Sequence, residues 1–361
     1  MKIAWLIQEL KHGGGHRVCL EISKILAERG HEIVILVPKG RLLTDVPEQL
    51  KVIECGKPFD HPIRSILFNG PAMLQNLPKV DLIISTMPYM GFLNTFATWF
   101  RPVRGVHYVM ADDYRLFDDR TLIHSSFMLG LHKLSTMISY RLPLLIMVNS
   151  TWTQNQVAEI GPRPKYILPH GVKTEIFKPS KSKPKSPEVI KLATVARKHA
   201  YKGWPDLVDS LNHLWDERQD FELTAITQDP IVTDECRFGV SVVSPKDDSE
   251  LVSYFQSSDI FLFPSHHEGF GLPPLEAMAC GIPVVSTDLD GMREYAVHNV
   301  NAWLVPLGSK QEMTNGIRHL LDNPQLRNRL SIEGLKTAKR FSWQKVVDMF
   351  EQILDESVGR H

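Results

Sequence analysis

Two glutamates in one short segment are the clearest chemical signal of this sequence. Glu268 and Glu276 lie within residues 260–287, which read IFLFPSHHEGFGLPPLEAMACGIPVVST. A buried strand is predicted to end at Pro264. A helix is predicted to begin near Pro273, because a proline in the first helical turn lacks only an amide proton that the helix would leave unpaired anyway. The two carboxylates are therefore predicted to flank a helix N-terminus.

The turn before that helix predicts an anion site. Its backbone amides point out of the helix N-terminus, where unpaired N–H groups and the helix dipole favour a negative charge. Two carboxylates beside a phosphate alone make little sense, but they suit hydroxyl groups such as those of a sugar and a ribose. The amides predicted to form this site belong to Gly269, Phe270, Gly271 and Leu272.

Two cations follow the first predicted strand of the second half of the chain. Arg197 and Lys202 lie in the strand-to-helix turn VARKHAYKGW. Two positive charges at the carboxyl end of a strand can neutralise a diphosphate without a metal, and an arginine does so with a fixed fork of donors. The alternative is a solvated loop that binds nothing.

The elements that would position these residues follow a repeating pattern. Runs rich in Ile and Val alternate with helix-length amphipathic segments, which is typical of βαβ units and of a parallel sheet covered on both faces. Strands are predicted near residues 2–7, 32–37, 81–86, 105–110, 144–148, 190–196, 222–227, 239–243, 260–264 and 282–286. Helices are predicted near residues 16–29, 90–100, 125–140, 203–218, 248–257, 272–280, 309–322 and 343–356.

A stretch rich in lysine and proline, residues 178–187, divides the pattern into two halves and cannot lie in a core. We therefore predict an α/β protein with two Rossmann-like doubly wound domains, residues 1–177 and 188–342, joined by this linker. Such sheets bind ligands at the carboxyl ends of their strands, so a cleft between two facing domains is the expected site.

With these residues in place, the chain resembles family 4 of the retaining glycosyltransferases, also called glycosyl transferases group 1, which have the GT-B architecture. The family pattern EGFGLxxxEAMAxGxPV is matched from Glu268 to Val284. The resemblance extends over nearly the whole chain, including HGVKTEIFKP near the linker and FSWQKVVDMF near the end. It implies that residues 188–342 bind a nucleotide-sugar donor, and that residues 343–361 cross back onto the first, acceptor-side domain.

The resemblance also implies roles for single residues. Glu268 would contact hydroxyls of the transferred sugar, Glu276 the ribose, and Arg197 and Lys202 the two phosphates. The implied reaction moves a sugar from a nucleotide-diphosphate sugar to a hydroxyl of a glycan or lipid-linked acceptor, with retention of configuration. No cofactor and no metal are expected, since the cations already neutralise the diphosphate.

The chain departs from the family pattern in two places outside the donor motif. Near the linker the usual Gly-Val-Asp is Gly-Val-Lys at 171–173, and the first loop reads GGGHR where a Glu often precedes the Arg. Glycines in that first loop would let the backbone approach a phosphate or an acceptor across the cleft. The residues expected to do so are Gly14 and Gly15, with Arg17 nearby.

The residue that assists catalysis from the first domain is less sharply defined. The segment VHYVMADDY offers His107, Asp112 and Asp113. We favour Asp112, because it falls just beyond the predicted strand whereas His107 would lie within it. An aspartate in this position also commonly caps its own loop by binding the backbone, and that alternative stays open.

Three further patterns resemble cofactor or metal sites without completing one. The glycines after the first strand form no complete GxGxxG, and no GxxxxGK[ST] occurs. Asp-Leu-Asp at 288–290 has the spacing of a metal-binding pair, but the phosphates that such a metal needs are already assigned to the two cations. His12 and His16 are separated by glycines, which disfavour the helix that would align them as ligands.

Composition restricts the class of protein. Hydrophobic residues make up 43% of the 361 and charged residues 23%, which predicts a globular fold, and the net charge of zero argues against a nucleic-acid-binding protein. Residues 1–180 hold 21 basic and 15 acidic side chains, whereas residues 181–361 hold 20 and 26. The absence of a CxxC pair and of a signal-peptide pattern leads us to expect a cytoplasmic protein.

The first half also contains candidate membrane-facing residues. The uncharged run 82–100 is expected to be a strand and a buried helix rather than a membrane span. Residues 120–158 contain no Asp or Glu, and the helix predicted there places on one face Phe127, Leu131, Leu134 and Ile138. Such a face most often packs in a core. The alternative is peripheral contact with the inner face of an anionic membrane, helped by Trp99, Phe100, Arg101 and Arg104.

Together these features predict a metal-independent glycosyltransferase of cell-surface polysaccharide or glycoconjugate synthesis. Three alternatives stay open. The first is another enzyme of the same architecture, a phosphorylase or a nucleotide-sugar epimerase, and the second is a non-catalytic protein that binds sugar nucleotides. The third is a nicotinamide oxidoreductase, which the incomplete glycine pattern disfavours.

Overall fold

The computed structural model describes most of the chain as two compact units. Unit 1 comprises Met1–His170 together with Val346–His361, and unit 2 comprises Gly171–Lys345. The residues that the structure describes are 1–10, 14–59, 62–115, 118, 123, 125–180 and 189–358.

Unit 1 is built on a parallel sheet. Among its described residues the sheet has seven strands, in the order β3-β2-β1-β4-β5-β6-β7. The strands are β1 (Lys2–Leu6), β2 (Glu32–Pro38), β3 (Lys51–Cys55), β4 (Leu82–Ser85), β5 (Arg104–Val109), β6 (Leu145–Val148) and β7 (Tyr166–Ile167). The helices that connect them are α1 (Gly14–Glu28), α2 (Pro62–Asn76), α3 (Pro88–Phe100), α4 (Ser126–Ser139) and α5 (Thr151–Ile160).

Unit 2 repeats this plan. Its described residues form a six-stranded parallel sheet in the order β10-β9-β8-β11-β12-β13. The strands are β8 (Ile190–Val195), β9 (Phe221–Ile226), β10 (Gly239–Val243), β11 (Ile260–Phe263), β12 (Val284–Thr287) and β13 (Trp303–Val305). The helices are α6 (Trp204–Trp215), α7 (Asp248–Ser257), α8 (Leu272–Ala279), α9 (Lys310–Asp322) and α10 (Pro324–Arg340), followed by α11 (Trp343–Val358).

The central strands of unit 2 are buried on both faces. Phe261 and Phe263 of β11 belong to one hydrophobic core, and Ile260 and Leu262 belong to the other. Successive side chains of a strand point to opposite faces, so a strand covered on both sides reads as an unbroken apolar run. The prediction of two doubly wound α/β domains is confirmed, and the continuous runs of Ile, Val and Phe are the reason it could be made.

The last helix returns to unit 1, as expected from the resemblance. Residues of α11 from Val346 onward belong to that unit. Arg29, just after α1, lies 2.7 Å from the carboxylate of Asp348, and the guanidinium of Arg104 donates to the carbonyl oxygen of Leu354 at 3.3 Å. These contacts tie the helix to the residue after α1 and to the first residue of β5.

The unit boundary precedes the predicted linker at 178–187. Contacts divide the chain between His170 and Gly171, because Val172 and Phe177 are both buried in a core of unit 2. Residues 181–187 of the predicted linker lie outside the described part of the chain.

Several elements were not predicted. In unit 1 they are β3, α2, α5 and β7, and in unit 2 they are β13 and α10. Helix α2 contains Pro71 after Gly70, a pair that normally marks a turn, and β7 has only two residues. Helix α10 is mostly polar and is recognisable by its capping residue, since the side chain of Asn323 accepts from the N–H of Leu326 at 3.0 Å.

The expectation of core packing for the apolar face of α4 is wrong. Phe127, Leu131, Leu134 and Ile138 are all exposed, and so are Phe96, Trp99 and Phe100 of α3, which was expected to be a buried helix. The residues of α4 that face inward are polar. Helical periodicity therefore separated the apolar side from the polar side correctly, but it is the polar side that meets the protein and the apolar side that meets solvent. None of the helices described is both long and apolar enough to cross a lipid bilayer.

Candidate functional site

The predicted donor residues of unit 2 lie where its central strands end. Strand β11 lies between β8 and β12, and Leu262 of β11 pairs with Thr194 of β8. This parallel register brings the carboxyl ends of the strands to the same edge of the sheet. The loops that leave this edge contain Arg197, Lys202 and residues 264–271.

Gly203 allows the two loops to touch. Its φ is +73°, and a Cβ at this position would lie 2.1 Å from the carbonyl oxygen of Pro264. At the same junction the backbone N–H of His266 donates to the carbonyl oxygen of Tyr201 at 2.7 Å. Because only glycine permits this approach, the turn after β8 is held against the loop after β11.

Lys202 and Glu268 form an ion pair across this junction. Nζ of Lys202 lies 2.7 Å from Oε1 of Glu268, and the hydroxyl of Ser265 donates to the same oxygen at 2.9 Å. Ser265 is held in turn by the hydroxyl of Thr287, which donates to its carbonyl oxygen. The exposed fractions are 23% for the side chain of Lys202 and 15% for that of Glu268, so the pair is oriented but accessible to a ligand.

The N-terminus of α8 adjoins this pair. Gly271 is its N-cap residue with a φ of +80°, and because glycine has no side chain it makes no side-chain capping hydrogen bond to the amides of the first turn. The hydroxyl of Tyr295 donates to the carbonyl oxygen of Gly271, and the ring of Phe270 packs against that of Tyr295 at 5.2 Å between centroids. The turn is therefore anchored by its carbonyl and aromatic groups, which leaves the helix dipole free to act on an anion.

Glu276 lies one turn inside α8 and is 5% exposed. Burial raises the pKa of Tyr295 well above its usual value, and the charges of Glu268 and Glu276 raise it further. Tyr295 is therefore a neutral phenol at physiological pH, as a donor to Gly271 must be. Both predicted carboxylates thus lie near the turn that they were predicted to flank.

Arg197 has a different contact. Its Nη1 lies 3.9 Å from Oδ2 of Asp229, and the backbone N–H of Lys198 donates to the same oxygen at 3.3 Å. Of the two predicted cations, Lys202 is the one that contacts Glu268 within the described part of the chain.

In unit 1 the predicted glycine loop is helical. Gly14, Gly15 and Arg17 lie in the first turn of α1, which begins at Gly14 rather than near residue 16. The N–H groups of the first turn have no acceptor within the helix, so a glycine there lowers the stability of the helix less than a glycine in its middle. Gly13 and His12 lie outside the described residues.

Asp112 follows β5, as predicted. Its carboxylate accepts from the backbone N–H of Arg115 at 3.2 Å and from Nη1 of the same residue at 2.9 Å. These are the contacts of a loop cap, the alternative left open by the sequence.

Asp113, the neighbour of Asp112, is buried, and the hydroxyl of Tyr140 donates to it at 3.4 Å. Burial, together with the charge of Asp112, raises the pKa of Asp113 to about 8.

His107 lies within β5 and is buried. Its Nδ1 is 3.0 Å from Oγ of Ser85, and burial lowers its pKa to about 4. The imidazole is therefore neutral at physiological pH.

The Asp-Leu-Asp pattern at 288–290 is engaged by an arginine. Arg293 lies 2.9 Å from the carboxylate of Asp288 and 2.7 Å from that of Asp290. Within the described ranges, no three His, Cys, Asp or Glu side chains are arranged to hold a metal ion together.

Four residues of the site were missed by the sequence analysis: Gly203, Ser265, Gly291 and Tyr295. A Cβ at Gly291 would lie 2.3 Å from the carbonyl oxygen of Glu268, so this glycine sets the position of the loop after β11 from the other side. Gly203 stands directly before Trp-Pro at the start of α6, a signal for a helix N-cap that could have been read. Tyr295 has no local signal, because the carbonyl of Gly271 that accepts its hydrogen bond is distant in sequence, whereas Ser265 lies three residues before Glu268, a spacing that could have been read.

Comparison with known families finds two family models that match the chain. The family model for Glycosyl transferases group 1 matches residues 172–337, and the model for Glycosyltransferase Family 4 matches residues 12–176. The chain belongs to the glycosyl transferases group 1. The predicted recognition is therefore confirmed, and each of the two models matches about one unit.

The chain is 28% identical over 243 residues to the MMP alpha-(1->4)-mannosyltransferase of Mycolicibacterium hassiacum, and this match covers 64% of the chain and 58% of the relative. It is 30% identical over 125 residues to the capsular polysaccharide biosynthesis glycosyltransferase CapM of Staphylococcus aureus, and this match covers 33% of the chain and 33% of the relative. These matches span less than two thirds of each curated relative. The structure of Anabaena Alr3699/HepE superposes with a TM-score of 0.78 at 18% identity, over 99% of this chain and 100% of that one, and has the same fold.

Proposed function

We propose that this group 1 glycosyltransferase moves a sugar from a nucleotide-diphosphate sugar to a hydroxyl of a glycan or lipid-linked acceptor. The observation that carries the proposal is the ion pair of Lys202 and Glu268 beside the N-terminus of α8. A cation and an uncapped helix N-terminus suit the diphosphate of such a donor, and a carboxylate suits the hydroxyls of its sugar.

The proposed chemistry depends on stabilising the leaving diphosphate. As the bond from the sugar carbon to the phosphate oxygen breaks, negative charge develops on that oxygen. Lys202, Arg197 and the amides of residues 269–272 would stabilise this charge, since fixed donors need no reorganisation during the reaction. With these groups in place, we propose that the reaction requires no metal and no cofactor.

Glu268 would change partners when the donor binds. In the free protein its Oε1 accepts from Lys202 and Ser265. Once the diphosphate binds Lys202, the carboxylate becomes available to a hydroxyl of the transferred sugar, while Ser265 keeps it in place. Glu276 would accept from a ribose hydroxyl.

We propose that the configuration at the sugar carbon is retained. The departing phosphate oxygen would then lie on the same face of the sugar as the acceptor and would take the proton of the acceptor hydroxyl. A strong protein base is therefore not required. Asp112 is our proposal for the assisting residue of unit 1, since its carboxylate is held in one orientation by Arg115.

The printed descriptions of related proteins support the donor and the biological role. Alr3699/HepE was solved in complex with UDP-glucose, one relative is a mannosyltransferase, and another belongs to capsular polysaccharide biosynthesis. By analogy we propose a nucleotide-activated hexose as donor, and synthesis of a cell-surface polysaccharide or glycoconjugate as the role.

We also propose that the protein works in the cytoplasm, at the inner face of the membrane. The excess of basic residues in positions 1–180 supports contact with anionic lipid. The four cysteines all lie in the described part of the chain and form no disulfide there, which is compatible with a reducing compartment.

The first test is a thermal-shift screen against UDP-, GDP-, ADP- and dTDP-sugars, because a bound donor stabilises the folded protein by mass action. We expect one donor class to raise the melting temperature of the wild type and of the control Lys198→Met, but not of Lys202→Met. Lys198 is an exposed lysine of the same turn and makes the control a matched one. No shift with any donor would contradict the proposal.

The second test separates the alternatives. Release of free nucleotide only when an acceptor is present would support transfer. Release driven by inorganic phosphate would indicate a phosphorylase, and conversion of the donor without an acceptor would indicate an epimerase. Donor binding without any conversion would indicate a non-catalytic binding protein.

A further inference from the structure

Helix α4 has its apolar side outward. The exposed fractions are 77% for Phe127, 50% for Leu131, 52% for Leu134 and 44% for Ile138. The residues that the helix buries are polar, namely His132, Thr136 and Ser139. A surface helix of a globular protein normally shows the opposite arrangement.

This orientation is fixed by hydrogen bonds. The ring of His132 lies 3.2 Å from the hydroxyl of Tyr89 in α3 and 2.7 Å from the carbonyl oxygen of Asp113. Rotating the helix to bury its apolar side would break both contacts and leave polar groups unpaired, which costs about 1–3 kcal/mol for each group. The outward apolar side is therefore a stable feature of the folded unit.

Helix α3 extends the same surface. Phe96, Trp99 and Phe100 are exposed, whereas Asn94 on its inner side is buried and donates to the carbonyl oxygens of Ile83 and Val106. The two helices pack against each other. The apolar α3–α4 surface thus consists of Phe96, Trp99, Phe100, Phe127, Leu131, Leu134 and Ile138.

The charge around this surface is positive. Helices α3 and α4 contain no Asp or Glu. Arg101, Arg104 and Arg141 contact only backbone carbonyl oxygens in the described part of the chain, so no carboxylate there neutralises them. Lys133 is the exception, since it lies 2.7 Å from Asp118.

This charge distribution distinguishes between two occupants. A second copy of the chain, docked by a two-fold axis, would bring the same arginines toward one another. An anionic bilayer attracts them, and the exposed Trp and Phe side chains suit the boundary between headgroups and acyl chains.

We propose that the apolar α3–α4 surface docks onto an anionic lipid bilayer, with Phe127, Leu131 and Leu134 inserted at the headgroup level. The inference gives a location to the membrane contact proposed above and rests on it, but it is independent of the donor and of the transfer reaction.

Co-sedimentation with vesicles tests the proposal. The probes are vesicles of phosphatidylcholine alone and of phosphatidylcholine with an equal part of phosphatidylglycerol. We expect the wild type to sediment with the anionic vesicles at low salt. Leu131→Gln with Leu134→Gln should lower the partition coefficient about tenfold, because two half-exposed leucines no longer enter the bilayer. Ile332→Gln on α10, equally exposed but in unit 2, is the matched control and should bind like the wild type.

A charge variant tests the electrostatic part of the proposed membrane contact. Arg141→Glu should weaken binding to anionic vesicles at low salt, and high salt should reduce its difference from the wild type. Circular dichroism verifies that each variant is folded, and a donor thermal shift on the same samples tests the proposed function separately, since vesicle binding requires no donor.

Three results would overturn the inference. The wild type remaining in the supernatant with anionic vesicles at low salt is the first, and equal binding by the double leucine variant is the second. The third is a concentration-dependent dimer in sedimentation velocity that the double leucine variant abolishes, since the surface would then be an interface between copies.

Discussion

Replacing Glu268 by glutamine should separate nucleotide binding from turnover. In the free protein Oε1 of Glu268 lies 2.7 Å from Nζ of Lys202. A diphosphate must therefore displace the carboxylate before it can bind that ammonium group. Glu268→Gln keeps the size of the side chain and an acceptor for Ser265 but removes the competing charge. The variant should therefore bind a nucleoside diphosphate at least as tightly as the wild type.

The magnitudes follow from the exposure of the pair. Because both side chains are accessible to water, the ion pair is worth only about 0.2–1 kcal/mol, and removing it should lower the Kd of the nucleoside diphosphate by up to about fivefold. Lys202→Met removes a hydrogen bond between two charged groups, worth about 1.5–3 kcal/mol, and should raise that Kd about 10–100-fold. Turnover of Glu268→Gln should fall by a similar factor of about 10–100, since the contact that we propose between this side chain and a hydroxyl of the transferred sugar loses its charge.

Isothermal titration with the nucleoside diphosphate and initial rates with the full donor measure the two effects separately. Lys198→Met serves as the control for a general loss of positive charge in the turn. A Kd that rises as much in Glu268→Gln as in Lys202→Met would refute the reasoning, because the carboxylate would then assist diphosphate binding instead of competing with it.

Three further predictions concern the support of the site, its protonation and its metal dependence. Gly203→Ala should lower the free energy of unfolding by about 3 kcal/mol in urea denaturation, because the new side chain is strained at a positive φ and collides with Pro264. The control Gly30→Ala has a φ of +89° and nothing within 4 Å of the new Cβ, so it should lower the free energy of unfolding by only about 1 kcal/mol. Equal losses in the two variants would contradict the close approach of Gly203 to Pro264. Asp113 has a pKa raised from 3.8 to about 8, so its contribution to stability is present at low pH and is lost as the pH rises to about 8. Asp113→Asn should therefore flatten the decline of unfolding free energy over that window, and an unchanged pH profile would contradict a raised pKa. Exhaustive chelation followed by rate measurement should leave turnover unchanged, and restoration of a lost rate by added Mg²⁺ would contradict a metal-independent reaction.

The fold was largely predictable from local patterns. Unbroken apolar runs such as Ile260–Phe263 require a strand covered on both faces, and prolines after the turn that follows locate the start of α8. The elements that escaped prediction are those with weak local signals, such as α2 with its internal Pro71. Their state is decided by packing against neighbours rather than by their own propensities.

The candidate site was predictable in part. The order of strands and turns places Lys202 and Glu268 at the same sheet edge, but nothing local indicates that their side chains meet. The expectation for Arg197 came from its residue type, and the structure shows Asp229 as its partner. The raised pKa of Asp113 could not be predicted from the sequence either, because it depends on burial by segments that are distant along the chain.

What the sequence by itself determined is the alternation of strands and helices, the two-fold repetition of that plan and the family motif from Glu268 to Val284, since each depends on the spacing of residue types along the chain. Tertiary structure alone decided which groups touch and which faces are covered. Helix α4 shows the reason: a period of 3.6 residues separates an apolar side from a polar one, but whether the apolar side meets protein or solvent depends on the partners that the rest of the chain supplies. For α4 those partners are Tyr89 and the carbonyl of Asp113, which bind its polar side and turn its leucines outward.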